Sequence, residues 1–290
     1  MKRILEFLLI TVFLFCLFSP TEAQQKDSSP KNEEKSGWQR LDKGLELGTF
    51  AAPQAAIAGD SLVRVLRIDL SHYQLRLLNA SRLENGVPLT PKQWIRQNGL
   101  AAAINSSMFQ MDYKTSVSLM RTKGHTNNPR LSKDMTILAF DRLSADVPRA
   151  KIIDRQCDDF QFWKEKYETL VQSIRMISCT GKNVWKPQAR HWSTSAIGID
   201  GQNSILFIHV RALYSTHDLI NILKRLPLDI SRAMYTEGGP QAQLYINSGA
   251  KEFEFTGSHE TPSMQNNSRA IPWPLPNVVG ISKRKLPAAQ

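Results

Sequence analysis

The feature of the sequence that most constrains the fold lies at residues 233–245, where Glu237, Gly238, Gly239 and Pro240 separate two apolar segments. A glycine pair permits backbone angles that other residues avoid and leaves no side chain to block a ligand, while proline fixes its own φ angle. This order of residues predicts a strand that ends at Glu237, a tight turn and a second strand. Glu237 is then either an acid held rigidly beside an open space or a solvated residue of an ordinary turn.

The first 37 residues are expected to lie outside the folded part. Lys2 and Arg3 precede an unbroken apolar run at residues 7–18, and small residues follow before Gln24. Twelve apolar residues are too few to span a bilayer, so residues 1–23 are predicted to be a cleaved secretory signal. Residues 24–37 are polar and predicted to form a flexible leader. The sequence therefore predicts a secreted or periplasmic protein with no stable membrane anchor.

The remaining chain is predicted to form a single domain over residues 38–281, followed by a basic, solvated tail at residues 282–290, because no linker or repeat interrupts it. The chain has 37 basic and 26 acidic residues and a net charge of +11. A basic exported protein suits an acidic partner such as a phosphate-bearing glycan. No nucleic-acid partner is expected, since no basic stretch is interleaved with aromatic residues.

Two cysteines, Cys157 and Cys179, remain once the signal is removed. In an oxidising compartment a pair of thiols is slightly more consistent with one disulfide than with two buried free cysteines, but the sequence leaves both open.

The apolar patterns predict an α+β fold: a mixed β-sheet core flanked by helices. Residues 61–69 and 73–78 alternate and predict a β-hairpin. Thr90, Pro91 and Gly99 are typical helix start and stop residues, which predicts a helix at residues 89–98. A second helix is predicted at residues 216–226. Further strands are predicted at residues 100–105, 135–140 and 204–210, the last of them covered on both faces.

Several apolar strands end in a polar residue, and such residues meet at one rim of a sheet, where binding crevices form. Each also has a structural interpretation, as a turn cap, an ion-pair partner or a buried histidine. Zinc-type spacing, a phosphate-binding glycine loop and a nucleophile elbow are all absent from the sequence. No metal or other cofactor is expected, although a calcium site built from scattered oxygens would leave little trace. The residues at strand ends are Asn105, Gln172, Arg175, His209, Arg211 and Glu237.

Four motifs follow one another along the chain: Asn105-Ser106-Ser107-Met108-Phe109, Gln172-Ser173-Ile174-Arg175, Ala196-Ile197-Gly198 and Glu237-Gly238-Gly239. Together they resemble the exported members of the phosphodiester glycosidase family, over residues 63–280. The resemblance implies hydrolysis of a sugar–phosphodiester link and an α+β fold around a mixed sheet. Two departures fall in the expected pocket wall: the family more usually has Asp-Gly-Gly-Gly-Ser at Glu237, and Gly-Pro in place of Ile174-Arg175.

Hydrolysis of a sugar–phosphodiester link would give these residues specific roles. Glu237 is the catalytic carboxyl group, assisted in proton transfer by His209, with a second carboxylate supplied by Asp112 or Asp218. Arginines would hold the phosphate, amides the sugar, and the glycines would let substrate approach the backbone. The rival hypothesis is a non-catalytic exported module that binds an anionic glycan. The expected binding residues are Arg121, Arg175 and Arg211 for the phosphate, Asn105 and Gln172 for the sugar, and Gly238 and Gly239.

Overall fold

The computed structural model describes residues 37–249, 251–258 and 271–284. The predicted signal and most of the predicted leader lie outside these residues, as do residues 285–290 of the predicted tail. Within the described part, no helix is long and apolar enough to cross a membrane.

Strands dominate the described residues and form three sheets in which every strand pair is antiparallel. The first sheet has seven strands. Their spatial order is β1 (Gly37–Asp42), β2 (Leu45–Ala51), β3 (Leu62–Ile68), β13 (Ile205–Tyr214), β12 (Trp192–Asp200), β14 (Ile230–Gly238) and β11 (Arg175–Ile177).

The other two sheets have five strands each. The second contains, in spatial order, β7 (His125–Asn128), β6 (Met120–Thr122), β10 (Tyr167–Ser173), β8 (Thr136–Arg142) and β9 (Ala150–Asp154). The third contains β16 (Glu252–Thr256), β15 (Gln243–Asn247), β5 (Ala102–Asn105), β17 (Asn277–Lys283) and β4 (Tyr73–Asn79).

One apolar core is shared by all three sheets. Leu66 and Phe207 enter it from the first sheet, Leu138 from the second, and Ile104 and Val279 from the third. Because alternate strand residues point to opposite faces, the outer faces of the sheets need separate cover. The cover comes from one short helix per sheet: α3 (Thr216–Arg225) on the first, α2 (Phe160–Lys164) on the second and α1 (Pro91–Asn98) on the third.

The fold-class prediction, α+β with a mixed sheet, was therefore wrong. The sequence between β13 and β14 contains α3, and a strand–helix–strand order suggests a parallel crossover. In the structure β12 lies between β13 and β14 and is antiparallel to both, so the helix only covers one face of the sheet. The helices are 8, 5 and 10 residues long, too short to form a layer that defines the class.

The predicted hairpin of residues 61–69 and 73–78 was also wrong in its pairing. Both strands exist, as β3 and β4, but β3 pairs with β2 and β13 in the first sheet. β4 pairs with β17 in the third sheet. Alternation of apolar and polar residues predicts a strand with one buried face, but it does not predict the partner strand. Here both strands contribute apolar residues to the shared core, each from a different sheet.

The predicted helix at residues 89–98 is confirmed as α1. Thr90 and Gln93 form a reciprocal capping box, Pro91 occupies the first turn, and Gly99 ends the helix at φ 61°. These contacts are local, which is why the sequence alone identified them.

The disulfide between Cys157 and Cys179 is present, with the Cα atoms 6.4 Å apart and a sequence separation of 22. It joins the segment after β9 to the segment after β11, and so links the second sheet to the edge of the first. The disulfide prediction is confirmed.

Closing a loop of this length restricts the unfolded chain, so replacing both cysteines by serine should lower the free energy of unfolding by about 3 kcal/mol. Urea unfolding of the oxidised parent and the double variant measures the difference. If the oxidised parent unfolds at the same urea concentration as the double variant, the disulfide contributes nothing to the free energy of unfolding.

Candidate functional site

The site is built at the end of β14, where an irregularity in the β12–β14 ladder redirects the chain. Ser195 is opposite Glu237 whereas Ala196 is opposite Tyr235, so Thr236 is an extra residue on β14. A bulge of this kind bends a strand and re-aims its side chains. The interpretation of residues 233–245 as strand, turn and strand is confirmed by β14, a single turn of 3₁₀ helix at Gly239–Gln241, and β15.

The Glu237 carboxyl group is withheld from water. The residue is 9% exposed, and its Oε1 accepts one hydrogen bond, 3.0 Å long, from the backbone N–H of Gly238. Burial raises the pKa of Glu237 to about 7, against the opposing effect of that bond. Glu237 can therefore hold or release a proton near neutral pH. This favours the rigidly held acid over the solvated turn residue.

Aromatic side chains pack against the backbone immediately after Glu237. A Cβ added to Gly238 would lie 2.1 Å from the Tyr235 hydroxyl oxygen and 2.8 Å from Cδ1 of Trp192, so both rings reach the backbone at this glycine. The Trp185 ring packs on Tyr235 with 5.8 Å between centroids. Burial raises the pKa of Tyr235 well above its usual value, so its hydroxyl group remains protonated.

Gly239 and Gly257 lie in backbone contact on the other side of the turn. Gly239 has φ +65°, a left-handed conformation that favours glycine. A Cβ on Gly257 would lie 1.9 Å from the carbonyl oxygen of Gly239. The Gly238 and Gly239 predicted from sequence are thus both required, the first for close approach of side chains and the second for its φ angle.

Asn105 ends β5 of the third sheet and ties it to the site. Its Oδ1 accepts hydrogen bonds from Gln243 N at 2.8 Å and from Ser195 Oγ at 3.1 Å, and its Nδ2 donates to Gln241 O at 2.9 Å. Ser195 Oγ also lies 2.9 Å from Thr236 Oγ1, at the bulge. Hydrogen bonds through Ser195 and Thr236 therefore link Asn105 to the strand end that carries Glu237.

His209 is fully buried on β13 and does not contact the Glu237 carboxyl group. Its Nε2 donates to the carbonyl oxygen of Ala242 at 3.1 Å, which also accepts from Gly257 N at 2.7 Å. Burial, and then the nearby Arg64 charge, lowers the pKa of His209 to about 3. The ring is neutral at physiological pH, so the geometry supports a role in positioning the turn and not the proton transfer predicted from sequence.

Gln172 is structural in its contacts. Its amide oxygen accepts from the backbone N–H groups of Leu119 and Ser132, and its amide nitrogen donates to the carbonyl oxygens of Ser132 and Asp134. Four hydrogen bonds use the amide fully, so binding a sugar would require breaking them.

The three predicted phosphate-binding arginines lie apart. Arg121 on β6 donates to the Lys164 carbonyl at 2.8 Å and lies on the second sheet. Arg175 Nη1 contacts both carboxylate oxygens of Asp154, at 2.8 and 3.1 Å. Arg211 lies on β13 at the same end of the first sheet as Glu237, where its backbone carbonyl accepts from Ser193 Oγ at 2.5 Å.

Neither predicted second carboxylate contacts Glu237. Asp112 accepts from the backbone N–H groups of Lys114 and Thr115 in an exposed turn, and the Thr115 hydroxyl group lowers its pKa. Asp218 lies in the first turn of α3, where it accepts from the Ser215 hydroxyl group at 2.7 Å.

A metal site was not expected from the sequence. Among the described residues, the one cluster of three potential ligands is Asp154, Cys157 and Cys179. The two sulfur atoms are bonded to each other and the carboxylate is paired with Arg175, so no thiolate is available there.

Several residues around the strand end and turn at Glu237 carry no signal that was recognised in the sequence: Tyr235, Trp192, Trp185, Thr194 and Gly257. Thr194 is opposite Gly238 in the ladder, and its hydroxyl group is buried without a hydrogen-bond partner among the described residues. Thr194 lies two positions before the Ala196-Ile197-Gly198 motif, which was the available signal. The aromatic residues gave none, since their contacts depend on the fold.

The Arg175–Asp154 pair should make Arg175 a structural residue. Asp154 is 0% exposed, so Arg175→Met would leave a buried carboxylate unpaired and lower the free energy of unfolding by about 3–5 kcal/mol. Adding Asp154→Asn to that variant should restore part of the loss. Urea unfolding of the parent, both single variants and the double variant measures the coupling. Full stability of Arg175→Met would return Arg175 to the phosphate-binding candidates.

Ionisation of Glu237 should lower the free energy of unfolding at alkaline pH. Its pKa rises from 4.5 to about 7 on folding, so between these values the folded protein keeps a proton that the unfolded chain has released. Ionisation then opposes folding as pH rises, and Glu237→Gln should increase the free energy of unfolding by up to ~3 kcal/mol above pH 8 and leave it unchanged near pH 4. Exposed Glu84 provides the control variant Glu84→Gln. A Glu237→Gln protein less stable than the parent at pH 8 would contradict the burial argument.

No curated protein matches the sequence significantly. The catalytic domain of zebrafish N-acetylglucosamine-1-phosphodiester α-N-acetylglucosaminidase, auto-inhibited by its pro-peptide, is similar with a TM-score of 0.60 and 14% identity, over 86% of this chain and 87% of that one. A hypothetical protein from Synechocystis is similar with a TM-score of 0.54 and 12% identity, over 87% of this chain and 64% of that one.

At these identities the structural matches establish a shared fold. The family assignment rests on the sequence itself, since residues 98–282 match the phosphodiester glycosidase family model. This range includes Asn105, Glu237 and the two glycines that follow it, and it confirms the resemblance found in the motifs. The chain belongs to the phosphodiester glycosidase family.

Proposed function

We propose that the protein hydrolyses the bond between the anomeric carbon of a sugar and the phosphate of a phosphodiester, with Glu237 as the proton acceptor. The observation that carries the proposal is the Glu237 carboxyl group itself, 9% exposed, with its pKa raised to about 7. A base is most effective when its pKa lies near the working pH. Membership of the phosphodiester glycosidase family supports the bond type.

The proposed step needs one ionisable carboxyl group. Water forms a bond to the anomeric carbon, its proton passes to Glu237, and the bond from that carbon to the phosphate oxygen breaks. The electron pair leaves with the phosphate monoester, which is stable as an anion and needs little protonation. Asp112 and Asp218 are engaged in local turn and cap contacts, which fits a mechanism without a second acid.

The walls of the site suit a sugar ring. Trp192 and Tyr235 meet at Gly238, and aromatic faces pack against the apolar face of a sugar while hydroxyl groups bond to polar neighbours. The Thr194 hydroxyl group, unpartnered among the described residues, supplies such a neighbour. Of the three arginines predicted to hold the phosphate, Arg211 is the one whose strand ends beside Glu237, and we assign the phosphate to it.

The test is turnover of a sugar-1-phosphodiester by the parent and Glu237→Gln proteins at pH 7, with Glu84→Gln as the matched control. Loss of the base should lower kcat by ~100-fold or more, while the control keeps the parent rate. Hydrolysis in ¹⁸O-labelled water should place the label on the sugar, because the carbon–oxygen bond is the one that breaks.

Label found in the phosphate product would replace glycosidase chemistry with attack at phosphorus. A Glu237→Gln protein that keeps more than about a tenth of the parent kcat would remove Glu237 as the base. Saturable binding of the phosphodiester without turnover by the parent would favour the rival function, a module that binds an anionic glycan.

We also propose that the protein works outside the cytoplasm on a phosphate-bearing glycan or glycoconjugate. The Cys157–Cys179 disulfide supports an oxidising compartment. The apolar run of residues 7–18 supports export by a cleaved signal. Amino-terminal sequencing of the secreted protein should begin at or near Gln24, and a mature protein that retains the apolar run would contradict cleavage.

A further inference from the structure

A second concave site lies away from Glu237, where the second and third sheets meet. The cavity, about 320 Å³ in volume, is formed where β8 and β10 of the second sheet approach β4 of the third, and Arg142, Arg149 and Arg284 line it. It continues past Arg149 into a concavity lined by the β12–β13 turn at residues 202–204. That turn is separated from the Glu237 end by most of β12, roughly 20 Å at 3.3 Å per residue.

Two of the three guanidinium groups are held in place by backbone carbonyls. Arg284 Nε donates to Leu70 O at 2.8 Å and to Tyr73 O at 2.9 Å. Arg142 Nη1 donates to Val147 O at 2.6 Å. Neutral carbonyl oxygens orient a guanidinium group without neutralising it, and the remaining N–H groups are left for other acceptors. Arg149 makes no hydrogen bond or ion pair with any described residue.

Among the described residues, no ion pair within 4.0 Å joins an arginine of the cavity to Asp141 or Glu168, although Asp141 attracts Arg284 from farther away. The Arg284 pKa is lowered by burial and then by Arg149 and Arg142, so both of these cations lie close enough to repel Arg284. Asp141 instead accepts a hydrogen bond from Thr169 Oγ1 at 2.5 Å, and the nearest cation to Glu168 is Lys123 at 4.0 Å. An anion bound between the arginines would relieve this repulsion.

The backbone at the cavity is strained. Asp141 has φ +57° inside β8, a conformation that side-chain-bearing residues rarely adopt in a strand. Such strain persists where surrounding contacts impose it, and it is concentrated at ligand sites. The irregularity presents Asp141 and Arg142 to the same cavity, although neighbouring residues of a regular strand point to opposite faces.

We propose that this cavity binds a phosphorylated sugar: the three arginines hold the phosphate, while Asp141 and Glu168 accept hydrogen bonds from sugar hydroxyl groups. The cavity volume is within the range of sites for small ligands. Guanidinium groups pair with phosphate through two parallel hydrogen bonds, and carboxylates accept from hydroxyl groups. The site does not depend on any activity at Glu237.

Binding of α-D-glucose 1-phosphate to the full chain, measured by calorimetry, tests the proposal. Arg149→Gln should weaken the affinity at least tenfold. Exposed Arg130 gives the matched control, since Arg130→Gln removes the same charge elsewhere and should leave the affinity unchanged. Hydrogen exchange should show that the ligand protects residues 142–150 in the parent and in Arg130→Gln, and not in Arg149→Gln.

Turnover at Glu237 provides a separate readout. Arg149→Gln should hydrolyse a small sugar-1-phosphodiester at the parent rate, so failure of this site and failure of the proposed catalysis are distinguishable. Absence of saturable binding, equal affinity in Arg149→Gln, or an equal loss in Arg130→Gln would overturn the proposal. Inorganic phosphate that binds as tightly as the sugar phosphate would overturn the role given to Asp141 and Glu168.

Discussion

Withholding one carboxyl group from water is the constraint on which the site depends. A carboxylate in a desolvated position opposes folding, so the surrounding contacts must be strong enough to impose it. They come from long-range structure: the ladder with β12, the bulge at Thr236, and the rings of Tyr235 and Trp192 against Gly238. None of these forms in an isolated β14. The ionisation behaviour of Glu237 is therefore a property of the whole sheet.

The three-sheet architecture explains how such a position is kept rigid. Asn105 brings the third sheet against the first by bonding to Ser195 and to the backbone of the turn after Glu237. His209 fixes the far side of that turn through the Ala242 carbonyl. The bonds from Ser195, Gln243 and His209 are buried, where an unmade hydrogen bond is costly, so the turn has few alternative conformations. Residues that appear catalytic by type thus position the backbone around the one ionisable group.

The sequence predicted what local chemistry determines. The α1 helix has its cap, its first-turn proline and its terminal glycine within ten residues, and Glu237 with its glycines forms a continuous motif. The pairing of strands, in contrast, depends on residues that are far apart in the sequence. β3 and β4 are adjacent along the chain, yet each is completed by a strand from the distant part of the sequence, β13 and β17 respectively. The same limit applied to Arg175 and Gln172, because an apolar sequence around a polar residue shows that it is buried but not what it binds. Arg175 binds Asp154, which lies 21 residues away in the sequence. Gln172 binds backbone groups of residues 119–134.

The contact between Gly239 and Gly257 links two distant parts of the chain in a way that bears on how the sequence can diverge. One backbone lies where the side chain of the other would begin. Gly257 cannot accept even a methyl group while the Gly239 carbonyl stays in place, whereas Gly239 is restricted by its left-handed φ angle. Related chains that replace Gly257 should therefore show a compensating change in the length or path of the turn after Glu237, so substitutions next to β16 and changes in that turn are expected to covary across the family.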